Sequence, residues 1–245
     1  MSNLHLSTYK LPETDEKPVY IRDMFQRLSG YYDLMNDVMT LGLHRLWKKK
    51  ACRLLELKAD ASVLDVCCGT GDLTFYLKSM YPAAEVVGLD FCEDMLVLAR
   101  ERNAAKNIPA EFIQGDAMAL PFEDNHFNGL IISYGLRNVA NYEKCLIELM
   151  RVVKPGSKIV ILDMSYPTPF IHRISSFHRY SVMPIIGKLL VNDSEAYRYL
   201  FNSIYYFMPQ KELVQLMEKV GLRKVQYQNL IGGICALHWG TKPAV

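Results

Sequence analysis

The run Val63-Leu-Asp-Val-Cys-Cys-Gly-Thr-Gly-Asp-Leu-Thr74 gathers the residue types that hold a charged small molecule. Val63, Leu64 and Val66 form an apolar stretch carrying Asp65, and Gly69, Thr70 and Gly71 break it. A helical pattern then follows through Leu73, Tyr76 and Leu77. Strand, glycine turn and helix in that order make a binding loop. Glycine lets the backbone turn tightly and lets a ligand approach, and a helix start offers free N–H groups. A second acid, Asp90, ends the next apolar run, Val86-Val-Gly-Leu-Asp90, about 20 residues after the glycines. A carboxylate there accepts hydrogen bonds from the ribose hydroxyls of an adenosine. No Lys-Ser/Thr pair follows the glycines, so the loop is not a Walker loop. Thr74 stands where a dinucleotide fingerprint needs its third glycine. The expected ligand is therefore S-adenosylmethionine (SAM) rather than NAD. An ordinary structural turn is the competing reading, and Asp90 at that spacing argues against it.

The surrounding pattern alternates strands and helices. Expected strands are 62–66, 85–90, 111–114, 129–133 and 158–163, and expected helices are 45–57, 72–80, 93–104 and 141–153. Such repetition implies an α/β fold with a parallel sheet covered by helices on both faces. Ligands then sit beyond the strand C-termini, where Asp65, Asp90, Asp116, Ser133 and Asp163 converge. Residues 1–20 are polar and aperiodic and read as a loose arm. Residues 21–57 read as a helical cap, with Met24, Phe25 and Leu28 at helical spacing. Residues 164–208 interrupt the alternation with a segment dense in Tyr, Phe and Met, expected to be a helical insertion lining an apolar pocket or forming a satellite core. Helix 210–220 and strands 225–230 and 234–239 close the chain, the last two as an antiparallel pair at the sheet edge.

The composition sets the class. The chain has 245 residues, 50% hydrophobic and 22% charged, with net charge +2. That suits one globular α/β domain from residue 21 and shows no nucleic-acid-binding field. The Lys48-Lys49-Lys50 run reads as a solvated helix face. Six cysteines show no metal-ligand spacing and fit buried thiols in a reducing compartment. No apolar run reaches spanning length and no signal peptide is apparent. The expectation is a cytoplasmic protein, with any membrane contact peripheral.

Several further segments narrow the field: Tyr32-Asp-Leu-Met-Asn-Asp-Val-Met39, Leu43-His-Arg-Leu-Trp47, Ser133-Tyr-Gly-Leu-Arg-Asn-Val139, Arg151-Val-Val-Lys-Pro-Gly156, Tyr197-Arg-Tyr-Leu200 and Gly232-Gly-Ile-Cys-Ala-Leu-His238. Together with the glycine loop they resemble the SAM-dependent C-methyltransferases of ubiquinone and menaquinone biosynthesis, from about residue 21 to the end. The resemblance implies a seven-stranded Rossmann-like class I methyltransferase fold acting on a polyprenylated quinol. It places cofactor contacts at Thr70, Asp90, Asp116, Ala117 and Ser133. Gly115-Asp116-Ala117 departs from the relatives' frequent Asn-Ala, a change that keeps an acceptor for the adenine amine. Ser157 replaces a second glycine in a turn remote from the chemistry. The Cys67-Cys68-Gly-Thr block leans toward the menaquinone branch. Benzoquinol and naphthoquinol both stay open.

Methylation at a ring carbon needs an electron-rich ring. A phenol of pKa about 10 is ionised in roughly one molecule per thousand at pH 7, so an enzyme must favour the phenolate. Arg137, just past the fourth strand, is the candidate to stabilise it or to hold a proton-accepting water. A loop salt bridge is its alternative role. His178, in the aromatic insertion, and His44, in the cap, are weaker candidates for a base, since a lone His beside aromatics is more often a packing residue. Asp65 is expected to orient the glycine loop. The expected partners are the quinol, the membrane surface in passing, touched through the early helices or the aromatic insertion, and a second copy or a quinone-biosynthesis complex. A methyltransferase of another small molecule or a sterol, and a non-catalytic SAM-binding subunit, are the other classes consistent with the scaffold.

Overall fold

The computed structural model describes residues 16–168, Ile171, Tyr199 and 202–244. His178 and most of the expected insertion lie outside these residues. The first element is helix α1 (Lys17–Leu28), followed by a single 3-10 turn (Ser29–Tyr31), α2 (Tyr32–Thr40) and α3 (Leu43–Leu54). Helix α1 therefore starts inside the stretch expected to be a loose arm. Its first turn carries Pro18, whose fixed φ and missing N–H suit a helix start, and Lys17 is buried rather than trailing in solvent. A left-handed turn at Leu41 (φ 51°) and Gly42 (φ 74°) separates α2 from α3.

The alternating section follows as β1 (Ser62–Val66), α4 (Asp72–Met80), β2 (Glu85–Asp90), α5 (Glu93–Lys106), β3 (Glu111–Gln114), β4 (Phe127–Ser133), a 3-10 turn (Leu136–Asn138), α6 (Tyr142–Val152) and β5 (Val153–Met164). Helix α7 (Gln210–Lys219), β6 (Arg223–Leu230) and β7 (Cys235–Thr241) complete it. Strand β5 starts earlier than the pattern predicts. Val153 pairs with Phe127 before the Lys154-Pro-Gly156 turn, and the ladder resumes at Lys158 opposite Gly129.

The strands form one sheet of seven in the order β3-β2-β1-β4-β5-β7-β6. The pairs through β5 are parallel, and β7 is antiparallel to both β5 and β6. The antiparallel strand thus lies inside the sheet and β6 forms the edge. Side chains of a strand alternate between faces, and the two cores show it. Leu64, Leu130, Ile132, Ile159 and Ile161 pack on one face with Leu146 and Leu149 of α6 and Met217 of α7. Val63, Ile131, Val160 and Leu162 pack on the other with Trp47 and Ala51 of α3 and Leu73 of α4. Burial on both faces explains why these strands are continuously apolar. From β1 the chain winds outward through β2 and β3, then returns to β4 on the other side. The adjacent C-termini of β1 and β4 therefore open a crevice, the place where such sheets bind ligands. Among the described residues no helix is long and apolar enough to cross a membrane.

Candidate active site

The crevice is floored by the residues that leave the strands: Cys67 and Gly69 after β1, Asp90 to Cys92 after β2, Gly115 to Met118 after β3, and Ser133 to Gly135 after β4. Helix α1 roofs it with Pro18, Ile21, Arg22 and Phe25. The cleft together with the open space at its mouth encloses about 810 Å³.

The floor is built from turns that ordinary residues resist. Cys67 (φ 57°) and Tyr134 (φ 58°) both adopt left-handed backbone, at the ends of the neighbouring strands β1 and β4. For a bulky residue that conformation is strained, and such strain gathers at binding sites. Surrounding bonds hold it: Cys68 N–H donates to Leu89 O at 3.0 Å and Tyr134 N–H to Leu162 O at 2.7 Å. Gly71 also has positive φ (80°), and a Cβ there would lie 2.8 Å from the Phe112 ring. Glycine is required by conformation and by space at once.

Asp90 organises the adenosine side. Its Oδ2 accepts the Gly69 N–H at 2.7 Å and its Oδ1 the Cys92 N–H at 2.9 Å. A carboxylate offers about four acceptor sites, so capacity is left for a ligand. Burial raises the Asp90 pKa and the backbone N–H groups oppose that rise. Across the cleft, Asp116 holds its own turn by accepting the Met118 N–H at 2.8 Å, with Ala117 beside it on the wall. Ser133 ends β4 on the cleft wall, and its Oγ is shielded from solvent with no hydrogen-bond partner among the described residues. Buried hydroxyls are normally satisfied, so an orphan facing a cleft marks a group that a ligand completes. An acidic pair, a waiting hydroxyl and an apolar wall of Phe91, Met95 and Met118 fit the ribose, adenine and thioether parts of SAM.

Of the other residues expected to touch the cofactor, Gly69 lines the cleft while Asp65, Thr70 and Gly71 stand behind it. Asp65 is 1% exposed. Its Oδ2 accepts the Thr74 hydroxyl at 2.6 Å, fastening β1 to α4, and burial lifts its pKa to about 7. Thr70 turns its hydroxyl to Asp33 at 3.0 Å. Arg137 is brought to the same loop, yet its guanidinium points away from the cleft. Nη1 lies 2.8 Å from Asp163 Oδ1 and 2.5 Å from Tyr134 O, and its backbone N–H donates to Asp163 Oδ2 at 3.1 Å. The cleft is lined instead by its neighbours Gly135, Asn138, Val139 and Ala140. His44 is buried in the cap with Nδ1 2.8 Å from Thr40 Oγ1, away from the cleft lining.

Sequence reasoning gave the roof helix from residue 21 as part of a helical cap and missed its first turn. The Lys17-Pro18 start was the available signal, obscured by the polar stretch before it. Lys17 reaches across to the Arg137 and Val139 carbonyls at 3.1 and 2.8 Å. Asn138 was legible only as part of a motif. Its side chain meets the Tyr134 carbonyl at 3.3 Å and the Tyr199 hydroxyl at 3.2 Å. Tyr199 packs with Ile21, Met24 and Leu28 in the cap core, so this aromatic joins the later segment to the roof.

The fold agrees with solved methyltransferases. A SAM-dependent methyltransferase of Thermotoga maritima superposes with TM-score 0.66 at 18% identity, over 90% of this chain and 99% of its own. The cyclase SpnF superposes with TM-score 0.70 at 13% identity, over 98% and 100%. The scaffold alone therefore does not fix the reaction. Sequence is more specific. The ubiquinone/menaquinone biosynthesis C-methyltransferase UbiE of Ectopseudomonas mendocina (strain ymp) is 40% identical over 243 residues, 98% of this chain and 94% of its own length. The profile of the ubiE/COQ5 methyltransferase family matches residues 13–242, spanning the roof helix, the glycine loop and the closing strands alike, and the chain belongs to that family.

Proposed function

We infer that this SAM-dependent C-methyltransferase methylates a ring carbon of a polyprenylated quinol, demethylmenaquinol or a 2-methoxy-6-polyprenyl-benzoquinol, in quinone biosynthesis. The observation that carries this reading is a cleft of two characters under one helix. Asp90, Asp116 and the orphan Ser133 hydroxyl form a polar half, while Ile21, Phe25, Val139 and Ala140 form an apolar half suited to a prenylated ring.

SAM bound in the polar half supplies an electrophilic methyl group on a sulfonium. Asp90 would hold the ribose hydroxyls and Asp116 the adenine amine, and the Ser133 hydroxyl would gain a partner from the bound cofactor. Helix α1, over the cleft, would exclude water from the acceptor and limit its orientations, and orientation provides much of the acceleration in a displacement. The ring carbon gains a methyl group and loses a proton, and a phenolate promotes this. Lys17 favours that charge. Lys17 is 8% exposed, and its partners among the described residues are two carbonyls and the Tyr142 ring, 5.5 Å from the ring centroid, rather than a carboxylate. It therefore stands as a buried cation behind the Asn138–Val139 wall. Arg137, neutralised by Asp163, acts by shaping that wall.

The proposed partners are the quinol and, in passing, the lipid surface that holds its prenyl tail. The test is product formation from SAM with each reduced acceptor. A ring-methylated product from either supports the reading, and SAM binding without transfer to either overturns it.

A further inference from the structure

The glycine loop is held from two sides. From the sheet, Asp90 takes the Gly69 N–H. From the cap, Asp33 of α2 accepts the Thr70 hydroxyl on Oδ1 at 3.0 Å, while its Oδ2 meets Arg102 of α5 at 2.5 Å. Thr70 is 1% exposed, so its hydroxyl has no access to bulk water to replace Asp33. On the far side of Gly71, Asp72 begins α4 and pairs with Lys48 of α3 at 2.8 Å. Both neighbours of the left-handed Gly71 are thus tied to the helical cap. The cap that fastens the loop through α2 and α3 is also the element whose α1 roofs the cleft.

We propose that Asp33 is a positioning residue for the cofactor: it fixes the Thr70 side of the glycine loop and registers the cap on the cofactor cleft. An acid in the first turn of α2 also suits the helix dipole. That role explains neither the Thr70 contact nor the Arg102 contact. Asp33 acts through Gly69, the loop residue that lines the cleft. Without the Thr70 bond the loop keeps its sheet anchor at Gly69 and the Asp72–Lys48 pair beyond Gly71, but its Thr70 corner is released and samples conformations that do not bind SAM. The inference rests on SAM being the ligand of the cleft and not on the identity of the methyl acceptor.

The test measures SAM affinity without acceptor, by calorimetry, for wild type, Asp33→Ala, Asp33→Asn, Thr70→Val, Thr70→Ser and the Asp33→Ala/Thr70→Val pair. Loss of one hydrogen bond to a carboxylate at a partly exposed site corresponds to about a five- to tenfold rise in Kd. Asp33→Ala and Thr70→Val are each expected to show it. The double variant should be no weaker than either single, because both remove the same bond. Thr70→Ser retains the hydroxyl and Asp33→Asn retains an acceptor, so both should stay within about twofold of wild type. Asp33→Asn also loses the ionic contact to Arg102 and should lower Tm without moving Kd. In turnover, KM for SAM should rise by more than kcat falls. Unchanged Kd in Asp33→Ala and Thr70→Val alongside normal wild-type binding would overturn the proposal, as would additive losses in the double variant. A wild-type protein that binds no SAM would instead overturn the cofactor assignment itself.

Discussion

Gly135 makes the coupling between the two cofactor-side loops measurable. A Cβ at this position would lie 2.4 Å from Cys67 Cβ, 2.7 Å from Cys67 Sγ and 3.3 Å from Ile132 Cγ1. Relaxed carbon contacts sit at about 3.5–4.0 Å, so the Cys67 Cβ is too close by roughly 1 Å or more. The nearest atom is not the free end of a flexible chain, because Cys67 Cβ is fixed to a backbone already in left-handed conformation at φ 57°. Gly135→Ala must therefore displace the backbone after β1 or after β4. Overpacking of this kind costs about 1–3 kcal/mol. At ~2–4 °C per kcal/mol for a chain of this size, Tm falls by roughly 2–12 °C. Displacing Cys67 also disturbs Gly69, two residues on, whose N–H holds Asp90, so the Kd for SAM rises as well. The partner change is Cys67→Gly, which removes the offending Cβ and places glycine where φ is already positive. In that background Gly135→Ala should cost less than half its cost in wild type. Urea unfolding and SAM calorimetry on the four proteins of this cycle supply the numbers. A Gly135→Ala protein as stable and as tight for SAM as wild type would refute the reasoning, as would equal costs in the two backgrounds.

Three further outcomes follow from buried groups. Ser133→Ala should raise the Kd for SAM by about fivefold without lowering Tm, since the hydroxyl has no partner among the described residues; a drop in Tm with unchanged Kd would show a structural serine. Arg137→Met should destabilise by about 3–5 kcal/mol by stranding the Asp163 carboxylate, and adding Asp163→Asn should recover part of that loss in chemical denaturation; a stable Arg137→Met protein lacking only turnover would give the guanidinium a chemical role instead. For Asp65, burial raises the folded pKa from 3.8 to about 7, so its protonated form stabilises the fold below pH 3.8 and that contribution is lost as pH rises through about 7. Measured against Asp65→Asn, the wild type should lose unfolding free energy between those limits and hold level above them. His238, which burial drives the other way to about 4, cancels in the difference. A flat difference would show that Asp65 is ionised throughout.

Much of the cofactor half was legible because strands that are buried on both faces leave an unmistakable apolar pattern, and the polar residues at their ends stand out. Asp90, Asp116 and Ser133 were found this way and line the cleft, as does Ala117, which only the family resemblance pointed to. Sequence spacing does not tell which way a side chain turns at a strand end. Asp65 lies inside β1 with its carboxylate directed to Thr74, and Thr70 sits beside a cleft-lining glycine yet faces Asp33. The same limit applies to Arg137: its position was read, but Asp163, 26 residues on, decides its direction. The first turn of the roof helix was illegible for another reason. Lys17 is a charged residue whose burial depends on carbonyls 120 and 122 residues away, a partnership that no local pattern encodes.

The most direct measurement uses SAM labelled with carbon-13 in its methyl group, with each reduced polyprenyl acceptor, and locates the label in the product by NMR. The predicted result is a labelled methyl bonded to a ring carbon, with loss of the ring hydrogen from that carbon. A labelled methoxy group, or an unlabelled acceptor recovered from protein that binds SAM, would contradict carbon methylation of a quinol by this cleft.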